Sequence, residues 1–216
     1  MKEQKPAARI LIADDHRLLA EACKSLLEPE FQVVCIVTDG RCLIRSAVEL
    51  KPDIIILDIY MPHMNGLDAA VQVKRKLPGA KLVFLTMTTA VDVAAEAFRR
   101  GASAYVLKQS AADELLLAVR KVKEGLSYLT PLLAKETVTF LQSEQKPFGG
   151  EKRITQRQSE VLQLLAEGMS MKEVANVIDT TPGTVAFHKY RMMEKLNLKT
   201  NAALLEYAIK RNMTPA

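Results

Sequence analysis

The sequence contains no tryptophan, and aromatic residues make up only 5% of its 216 residues. No apolar stretch approaches the roughly 20 residues of a transmembrane helix, so we expect no membrane association. The first residues also lack the apolar segment of a signal peptide. The three cysteines are odd in number and irregularly spaced, which indicates reduced thiols in a cytoplasmic protein rather than a disulfide framework. None of the three histidines has the spacing of a metal-ligand motif.

Hydrophobic residues account for 49% of the chain, which is enough for a sizeable core, and the length suits one or two domains. The net charge is +5. From Glu151 onward ten basic residues oppose seven acidic ones, so this short segment holds about +3 of the excess. An excess of this size gives only weak support for a polyanionic partner.

Residues 1–126 show strand and helix patterns in regular alternation. Short apolar runs between turn residues predict buried parallel strands, and the apolar periodicity between them predicts crossover helices. The predicted strands are Arg9–Ala13, Gln32–Val37, Ile54–Leu57, Leu82–Leu85 and Ala104–Leu107. The predicted helices are Leu18–Leu27, Cys42–Leu50, Leu67–Leu77, Val91–Arg100 and Asp113–Glu124. This order predicts an α/β domain with a flavodoxin-like, doubly wound, five-stranded parallel sheet and five helices.

The remaining residues divide into a linker, residues 127–153, and a second domain, residues 154–216. The segment Leu126–Leu141 is predicted to hold one more helix, opened by Thr130-Pro131. The following residues Gln142–Arg153 are predicted to be a flexible segment. The second domain has no strand signal and predicts four helices. The second and third of these are separated only by Asp179-Thr180, which predicts a helix-turn-helix.

Polar side chains follow four of the predicted strands at the point where each strand ends. Asp14 and Asp15 follow the first strand, Asp58 the third, Thr86 the fourth and Lys108 the fifth. The carboxyl ends of parallel strands meet at one sheet edge, so these side chains are expected to converge there. Carboxylates suit a hard divalent cation, and an ammonium and a hydroxyl suit phosphoryl oxygens.

Each of these residues taken alone has a plainer interpretation. The Asp14-Asp15 pair could equally cap the first helix, Asp58 could be a turn residue, and Lys108 could be a solvated charge. Their coincidence at four strand ends favours a common site.

Two sets of residues carry a recognisable family pattern. The first set is Asp14-Asp15, the segment from Asp58 to Gly66, Thr86, and Tyr105-Val106-Leu107-Lys108. The second set is Ile154-Thr155, Arg157, Glu160-Val161-Leu162, Glu167-Gly168, Lys172-Glu173-Val174-Ala175, Thr184-Val185, His188 and Lys195-Leu196. By the first set the N-terminal domain resembles the receiver domain of two-component response regulators, and by the second the C-terminal domain resembles the LuxR-type DNA-binding domain. Together they resemble, in order, the NarL/FixJ class of transcription factors.

The resemblance implies that Asp58 accepts a phosphoryl group from a phosphohistidine of a sensor histidine kinase. It implies that Asp15, Asp58 and the backbone carbonyl of Tyr60 bind Mg²⁺ or Mn²⁺ directly, while Asp14 acts mostly through water. Such a cation offsets the charge on the transferring phosphoryl oxygens.

The resemblance further implies that Lys108 and Thr86 contact the phosphoryl group, and it suggests a switch. As Thr86 is drawn inward, Tyr105 could turn into the vacated space and repack the face formed by the fourth helix, the fifth strand and the fifth helix. The alternative is that Tyr105 is an edge aromatic whose hydroxyl lies in water.

The third helix of the second domain is expected to enter the major groove of DNA. Helical periodicity places Val185, Met192 and Leu196 on its packing face. The opposite, groove-facing side carries Ala186, Phe187, Tyr190, Arg191 and Glu194. Phosphate contacts are expected from Thr181, Thr184, Lys195 and Lys199. Ala186 and Tyr190 stand where related proteins often have polar residues, so bidentate guanine readout by these positions is not expected.

These features predict a cytoplasmic transcription factor that is not an enzyme and has no catalytic residues. Phosphorylation would free or dimerise the DNA-binding domain, and the resemblance suggests that the apolar fourth helix forms the dimer interface on DNA. The expected partners are a sensor histidine kinase, a second copy of the chain, and double-stranded promoter DNA with inverted half-sites about one helical turn apart. RNA polymerase is a further candidate partner.

Two alternatives remain open on the sequence alone. The first is an aspartate-dependent phosphohydrolase, although such enzymes usually carry a second aspartate two residues after the nucleophile, where this chain has Tyr60. The second is an orphan regulator that works without phosphorylation and retains the acidic residues as a structural remnant.

Tyr60 is predicted to affect the lifetime of the phosphorylated protein. This bulky residue and the small Thr88 should border the path that water takes to the phosphoryl group. The measurement is the dephosphorylation rate of the wild type and of Tyr60→Asn, and equal rates would contradict the prediction.

Overall fold

The computed structural model describes residues 7–143, 154–210 and 213 of the chain. In these residues the strands form one six-stranded parallel sheet in the order β2-β1-β3-β4-β5-β6. The strands are β1 (Arg9–Ala13), β2 (Gln32–Val37), β3 (Ile54–Leu57), β4 (Lys81–Thr86), β5 (Ala102–Leu107) and β6 (Tyr128–Leu129). The predicted doubly wound α/β architecture is confirmed.

Helices cover both faces of the sheet, which is why the central strands are apolar throughout. The helices are α1 (Arg17–Leu27), α2 (Gly40–Leu50), α3 (Gly66–Lys76), α4 (Val91–Arg99) and α5 (Ala111–Lys123). The apolar faces of α1 and α5 pack on one side of the sheet, and those of α2, α3 and α4 on the other. All four residues of β3 are buried, as expected of a strand covered on both faces. Cys23 lies in this core, where burial raises the pKa of its thiol to about 11.

The sheet has one strand more than the five predicted from the sequence. Tyr128 and Leu129 pair in parallel with Ala104 and Tyr105 at the sheet edge. The side-chain oxygen of Thr130 then accepts a hydrogen bond from the backbone N–H of Leu107 at 3.1 Å. A two-residue strand has neither a long apolar run nor an alternating pattern, so the sequence carries no periodic signal for it.

Helix α6 (Pro131–Ser143) follows β6 directly and packs against α4. It begins at Pro131, after the predicted Thr130-Pro131 start signal, and buries Leu133 and Thr137. In the face that was expected to repack, α4 therefore packs against α6 and β5 pairs with β6. The flexible segment predicted at Gln142–Arg153 lies, from residue 144 onward, outside the described residues.

Residues 154–210 form the predicted all-α domain with four helices. These are α7 (Gln156–Ala166), α8 (Met171–Val177), α9 (Pro182–Leu196) and α10 (Asn201–Lys210). Capping boxes open α7 and α8, because the side chain of Thr155 or Ser170 accepts from the residue three positions on. The turn between α8 and α9 contains Asp179 with φ 51°. Among the described residues, no helix has the length and apolar content needed to cross a bilayer.

Two glycines fix the β3–α3 loop, residues 58–65. The backbone N–H of Gly66 donates to the Ile59 carbonyl at 2.8 Å, and a side chain at Gly66 would overlap the carbonyl oxygen of Asp58. A side chain at Gly40 would overlap the Met64 carbonyl oxygen in the same way. The loop therefore lies close against the start of α2 and α3, and Asp58 is held at the end of β3.

Candidate functional site

The structure brings Asp14, Asp58 and Lys108 together at the carboxyl ends of β1, β3 and β5. The Lys108 Nζ atom lies 2.6 Å from Asp58 Oδ2 and 2.9 Å from Asp14 Oδ2. All three side chains are at least 95% buried. Lys108 is therefore a bridging cation between two carboxylates, and the plainer interpretation of a solvated charge is wrong.

Burial controls the electrostatics of this cluster. Burial raises the pKa of the Asp58 carboxyl, and Lys108 lowers it while the nearby Asp14 carboxylate raises it further. Burial alone would lower the pKa of Lys108, but its attraction to Asp58 and Asp14 outweighs that effect and raises it. The Asp58 oxygen Oδ1 also accepts a hydrogen bond from the Ile59 backbone N–H at 2.6 Å. The site therefore holds more negative charge than one lysine fully compensates.

Asp14, Asp15, His16 and Asp58 form a group that could hold a metal ion. Each offers one ligand atom, and these atoms lie within 4.8 Å of one another. Carboxylate oxygens in this number fit a hard divalent cation such as Mg²⁺ or Mn²⁺. Asp14 also accepts from the His16 backbone N–H at 2.9 Å, so it serves the start of α1 as well as the cluster.

His16 was missed in the sequence analysis, which found no metal-ligand spacing for any histidine. Its Nδ1 atom lies 3.0 Å from Asp15 Oδ1, and its ring is largely exposed. The available signal was its position directly after Asp14-Asp15. It was overlooked because a ligand set drawn from several strand ends has no fixed sequence spacing.

Thr86 and Tyr105 are both fully buried beside this cluster. The Tyr105 hydroxyl donates to the Thr88 carbonyl at 3.0 Å, and its ring stacks with Phe84 at 6.5 Å. Burial raises the pKa of the Tyr105 hydroxyl, and the nearby Tyr60 and Asp58 add to the rise. The alternative of an edge aromatic with its hydroxyl in water is wrong. The Tyr105 ring is already buried in this structure, on strand β5, which pairs with β6. The predicted turn of this ring from an outward to an inward position therefore does not begin from the arrangement seen here.

Helix α7 of the C-terminal domain binds the β3–α3 loop through Gln163, which is 2% exposed. Its Nε2 donates to the Met61 carbonyl at 2.8 Å, and its Oε1 accepts from the Asn65 backbone N–H at 2.7 Å. The Nε2 atom also donates to Glu167 at 2.8 Å. Glu167 in turn accepts from the His63 backbone N–H at 3.1 Å. One glutamine thus joins the loop that follows Asp58 to the C-terminal domain.

Further polar contacts between the two domains surround Gln163. The Ser159 hydroxyl donates to Asp68 Oδ2 at 2.6 Å. Arg41 pairs with Glu160 and donates to the Val177 carbonyl at 2.8 Å. We call these contacts, together with those of Gln163 and Glu167, the docking contact of α7. This contact was not predicted from the sequence, because Ser159, Gln163 and Glu167 recur every four residues and resemble an ordinary solvated helix face.

The predicted DNA-contacting residues lie on or beside α9. Thr181 caps the helix, and its Oγ1 accepts from the Thr184 backbone N–H at 3.2 Å. Ala186 is half-buried, whereas Phe187, Tyr190, Arg191, Lys195 and Lys199 are exposed. Val185 and Met192 are buried and Leu196 is half-buried, so the periodicity assigned the packing face correctly.

Comparison with known proteins matches both domains. The family described as "Response regulator receiver domain" matches residues 10–120, and "Bacterial regulatory proteins, luxR family" matches residues 152–208. The chain is 33% identical over 214 residues to the oxygen regulatory protein NreC of Staphylococcus epidermidis, covering 95% of this chain and 98% of that protein. It is also 33% identical over 216 residues to NreC of Staphylococcus aureus, with the same coverage.

Among solved structures, the chain is similar to the RcsB response regulator of Salmonella typhimurium, with 26% identity and a TM-score of 0.64. The similarity covers 95% of this chain and 98% of that one. An RcsB–DNA complex is also 26% identical, with a TM-score of 0.57 and coverage of 93% and 97%.

Proposed function

Because the chain belongs to the response regulators that join a receiver domain to a LuxR-type DNA-binding domain, and is thus a two-component transcription factor, we propose that phosphorylation of Asp58 controls its DNA binding. A sensor histidine kinase would supply the phosphoryl group. The phosphorylated protein would then bind promoter DNA as a homodimer in the cytoplasm and contact RNA polymerase. The observation that carries this proposal is the buried cluster of Asp58, Asp14 and Lys108.

The geometry supports phosphoryl transfer to an Asp58 carboxylate oxygen. As the new O–P bond forms, the P–N bond of the donor phosphohistidine breaks, and the leaving imidazole keeps the electron pair. The Lys108 ammonium lies 2.6 Å from Asp58 Oδ2, so it can stay paired with the negative charge as phosphoryl oxygens are added to that carboxylate. A divalent cation held by Asp15, Asp58 and the Tyr60 carbonyl, with Asp14 nearby, would supply further charge neutralisation. The fixed loop keeps Asp58 positioned, and positioning accounts for much of such catalysis.

We assign Asp58 the role of an acceptor rather than that of the nucleophile in a phosphohydrolase. Hydrolysis of an acyl phosphate needs a group that activates water. The position two residues after Asp58, where such hydrolases usually carry an aspartate, is occupied by Tyr60. A phenol is a much weaker base than a carboxylate at neutral pH.

The docking contact of α7 supports a route from Asp58 to DNA. A phosphoryl group adds roughly −1.5 to −2 charge and three acceptor oxygens at the start of the β3–α3 loop. A shift of Met61 or Asn65 away from α7 would lengthen the hydrogen bond that each residue's backbone makes with Gln163. Release of α7 would let the DNA-binding domain leave its fixed orientation.

The docked orientation leaves the outer face of α9 exposed, so control would act through orientation rather than by covering that helix. A two-fold dimer must place two such helices in successive major grooves of the duplex. Domains tied to their own receivers satisfy this spacing less easily than released ones. RcsB has been solved as dimers bound to DNA, which supports the same partners for this chain.

Acetyl phosphate should phosphorylate the wild type on Asp58 and leave Asp58→Asn unmodified. The measurement is intact mass after incubation with Mg²⁺, with a gain of one phosphoryl group expected on the wild type. No gain on the wild type, or an equal gain on both proteins, would contradict the assignment of Asp58.

Mg²⁺ should raise the thermal unfolding temperature of the receiver domain, because the cation binds only the folded carboxylate cluster. At ten times its dissociation constant the gain is about 1.4 kcal/mol, which is roughly 3–6 °C for a domain of this size. Asp15→Asn should lose most of this shift, whereas Glu21→Gln, on the exposed side of α1, should keep it. Equal shifts in the two variants, measured by calorimetry, would argue against the proposed ligand set.

Gln163→Ala should raise the DNA affinity of the unphosphorylated protein. The change removes two bonds to the receiver backbone, each worth about 1 kcal/mol, so docking should weaken by up to about thirtyfold. Fluorescence anisotropy with a selected duplex measures the affinity. Gln156→Ala is the matched control, because that glutamine of the same helix makes only contacts of 3.4 and 3.5 Å to the receiver. If both variants bind as the wild type does, the docking contact does not control DNA binding.

A further inference from the structure

Helix α9 carries a pair of exposed aromatic residues on one face. Phe187 is 57% exposed and Tyr190 is 62% exposed. Positions three and four apart share a helix face, so Gly183, Phe187, Tyr190, Arg191 and Glu194 form one continuous outer face, and all five are exposed. Large exposed aromatics in such a patch indicate an interaction surface.

The core does not account for this pair. Val185, Met192 and Met193 are buried, and they already fill the space between α9 and the other helices of the domain. The Arg191 guanidinium lies 5.8 Å from the centre of the Phe187 ring, and Lys189 Nζ lies 5.5 Å from that of Tyr190. Phe187 and Tyr190 thus form an apolar strip bordered by cations.

The charge around the strip fits a polyanion better than a protein surface. Lys195, in the last turn of α9, and Lys199, just after it, are exposed in addition to Arg191. The one acidic residue of the face, Glu194, lies 3.7 Å from Arg191 and is thereby partly offset. The second helix of a helix-turn-helix, with cations at its border, fits the major groove of a duplex.

The chemistry of the two aromatic residues of the strip points to one class of base pair. Among the exposed residues of the strip, neither Phe187 nor Tyr190 can make the bidentate bonds by which arginine reads guanine or asparagine reads adenine. Phe187 has only an apolar ring to offer, and the apolar group in the major groove is the 5-methyl of thymine. A·T pairs present this methyl, and G·C pairs do not.

We propose that Phe187, assisted by the Tyr190 ring, selects half-sites that present thymine methyl groups in the major groove. This rests on the proposed DNA-binding function and adds to it a specificity determinant: apolar contact rather than hydrogen-bonded readout. The Arg191 guanidinium, 5.8 Å from the centre of the Phe187 ring, borders this apolar contact.

The test separates the methyl group from every other feature of the base. A duplex is selected from a random pool by the phosphorylated full-length protein, and its thymines are then replaced one at a time by deoxyuridine. Deoxyuridine keeps the pairing and the hydrogen-bonding edge but lacks the methyl. Wild-type affinity should fall about fourfold at each contacted position. Phe187→Ala, a change at an exposed position that leaves the core intact, should bind the thymine and deoxyuridine duplexes equally at the contacts made by Phe187.

Lys199→Ala is the matched control, because it removes an exposed cation outside the strip. It should weaken binding to both duplexes by the same factor and keep the fourfold difference. If the wild type binds the duplex but does not distinguish thymine from deoxyuridine, the inference is overturned and the proposed function stands. The same holds if Phe187→Ala keeps the full difference. If no duplex is selected at all, both are overturned.

Discussion

The buried bridge that Lys108 forms between Asp58 and Asp14 is the interaction on which the rest of the structure depends. Removing three charged groups from water is costly, and one ammonium cannot fully offset two carboxylates with a third beside them. The parallel sheet creates this situation, because it brings the carboxyl ends of β1, β3 and β5 to one edge. Burial holds the pKa of Asp58 above its ordinary value. Binding of a cation, or addition of a phosphoryl group with its counterion, therefore changes the electrostatic energy of this cluster considerably.

In the proposed mechanism the loop after Asp58 transmits that change, because it is packed on both sides. Gly66 and Gly40 allow it to lie directly on its own domain, where a larger side chain would overlap its backbone. Gln163 binds its opposite edge through two backbone groups. The loop is therefore shared between the two domains, and by linkage a change that loosens one set of contacts alters the affinity of the other. The same reasoning predicts that DNA binding influences phosphorylation.

The sequence was sufficient for the elements whose signals are local. Apolar runs predicted the five long strands, and their polar ends predicted Asp14, Asp58 and Lys108 as a cluster. The helical pattern and the lack of any strand signal predicted the four helices of the second domain. Features that depend on tertiary placement were not predicted. The two-residue strand β6 has no periodic signal. Tyr105 is buried because β6 extends the sheet beyond β5, and Leu129 and Leu133 pack into the same core cluster. Gln163 meets Met61 across 102 positions of sequence, and nothing local to either residue indicates the contact.

The central claim, that the state of Asp58 is coupled to the docking of α7, is tested most directly by hydrogen exchange at two backbone amides. The Asn65 amide donates to Gln163 and the His63 amide to Glu167, so both should be protected in the unphosphorylated protein. The account predicts that acetyl phosphate with Mg²⁺ speeds exchange at both amides in the wild type and leaves it unchanged in Asp58→Asn. Unchanged exchange in wild-type protein whose intact mass shows full phosphorylation would contradict the account.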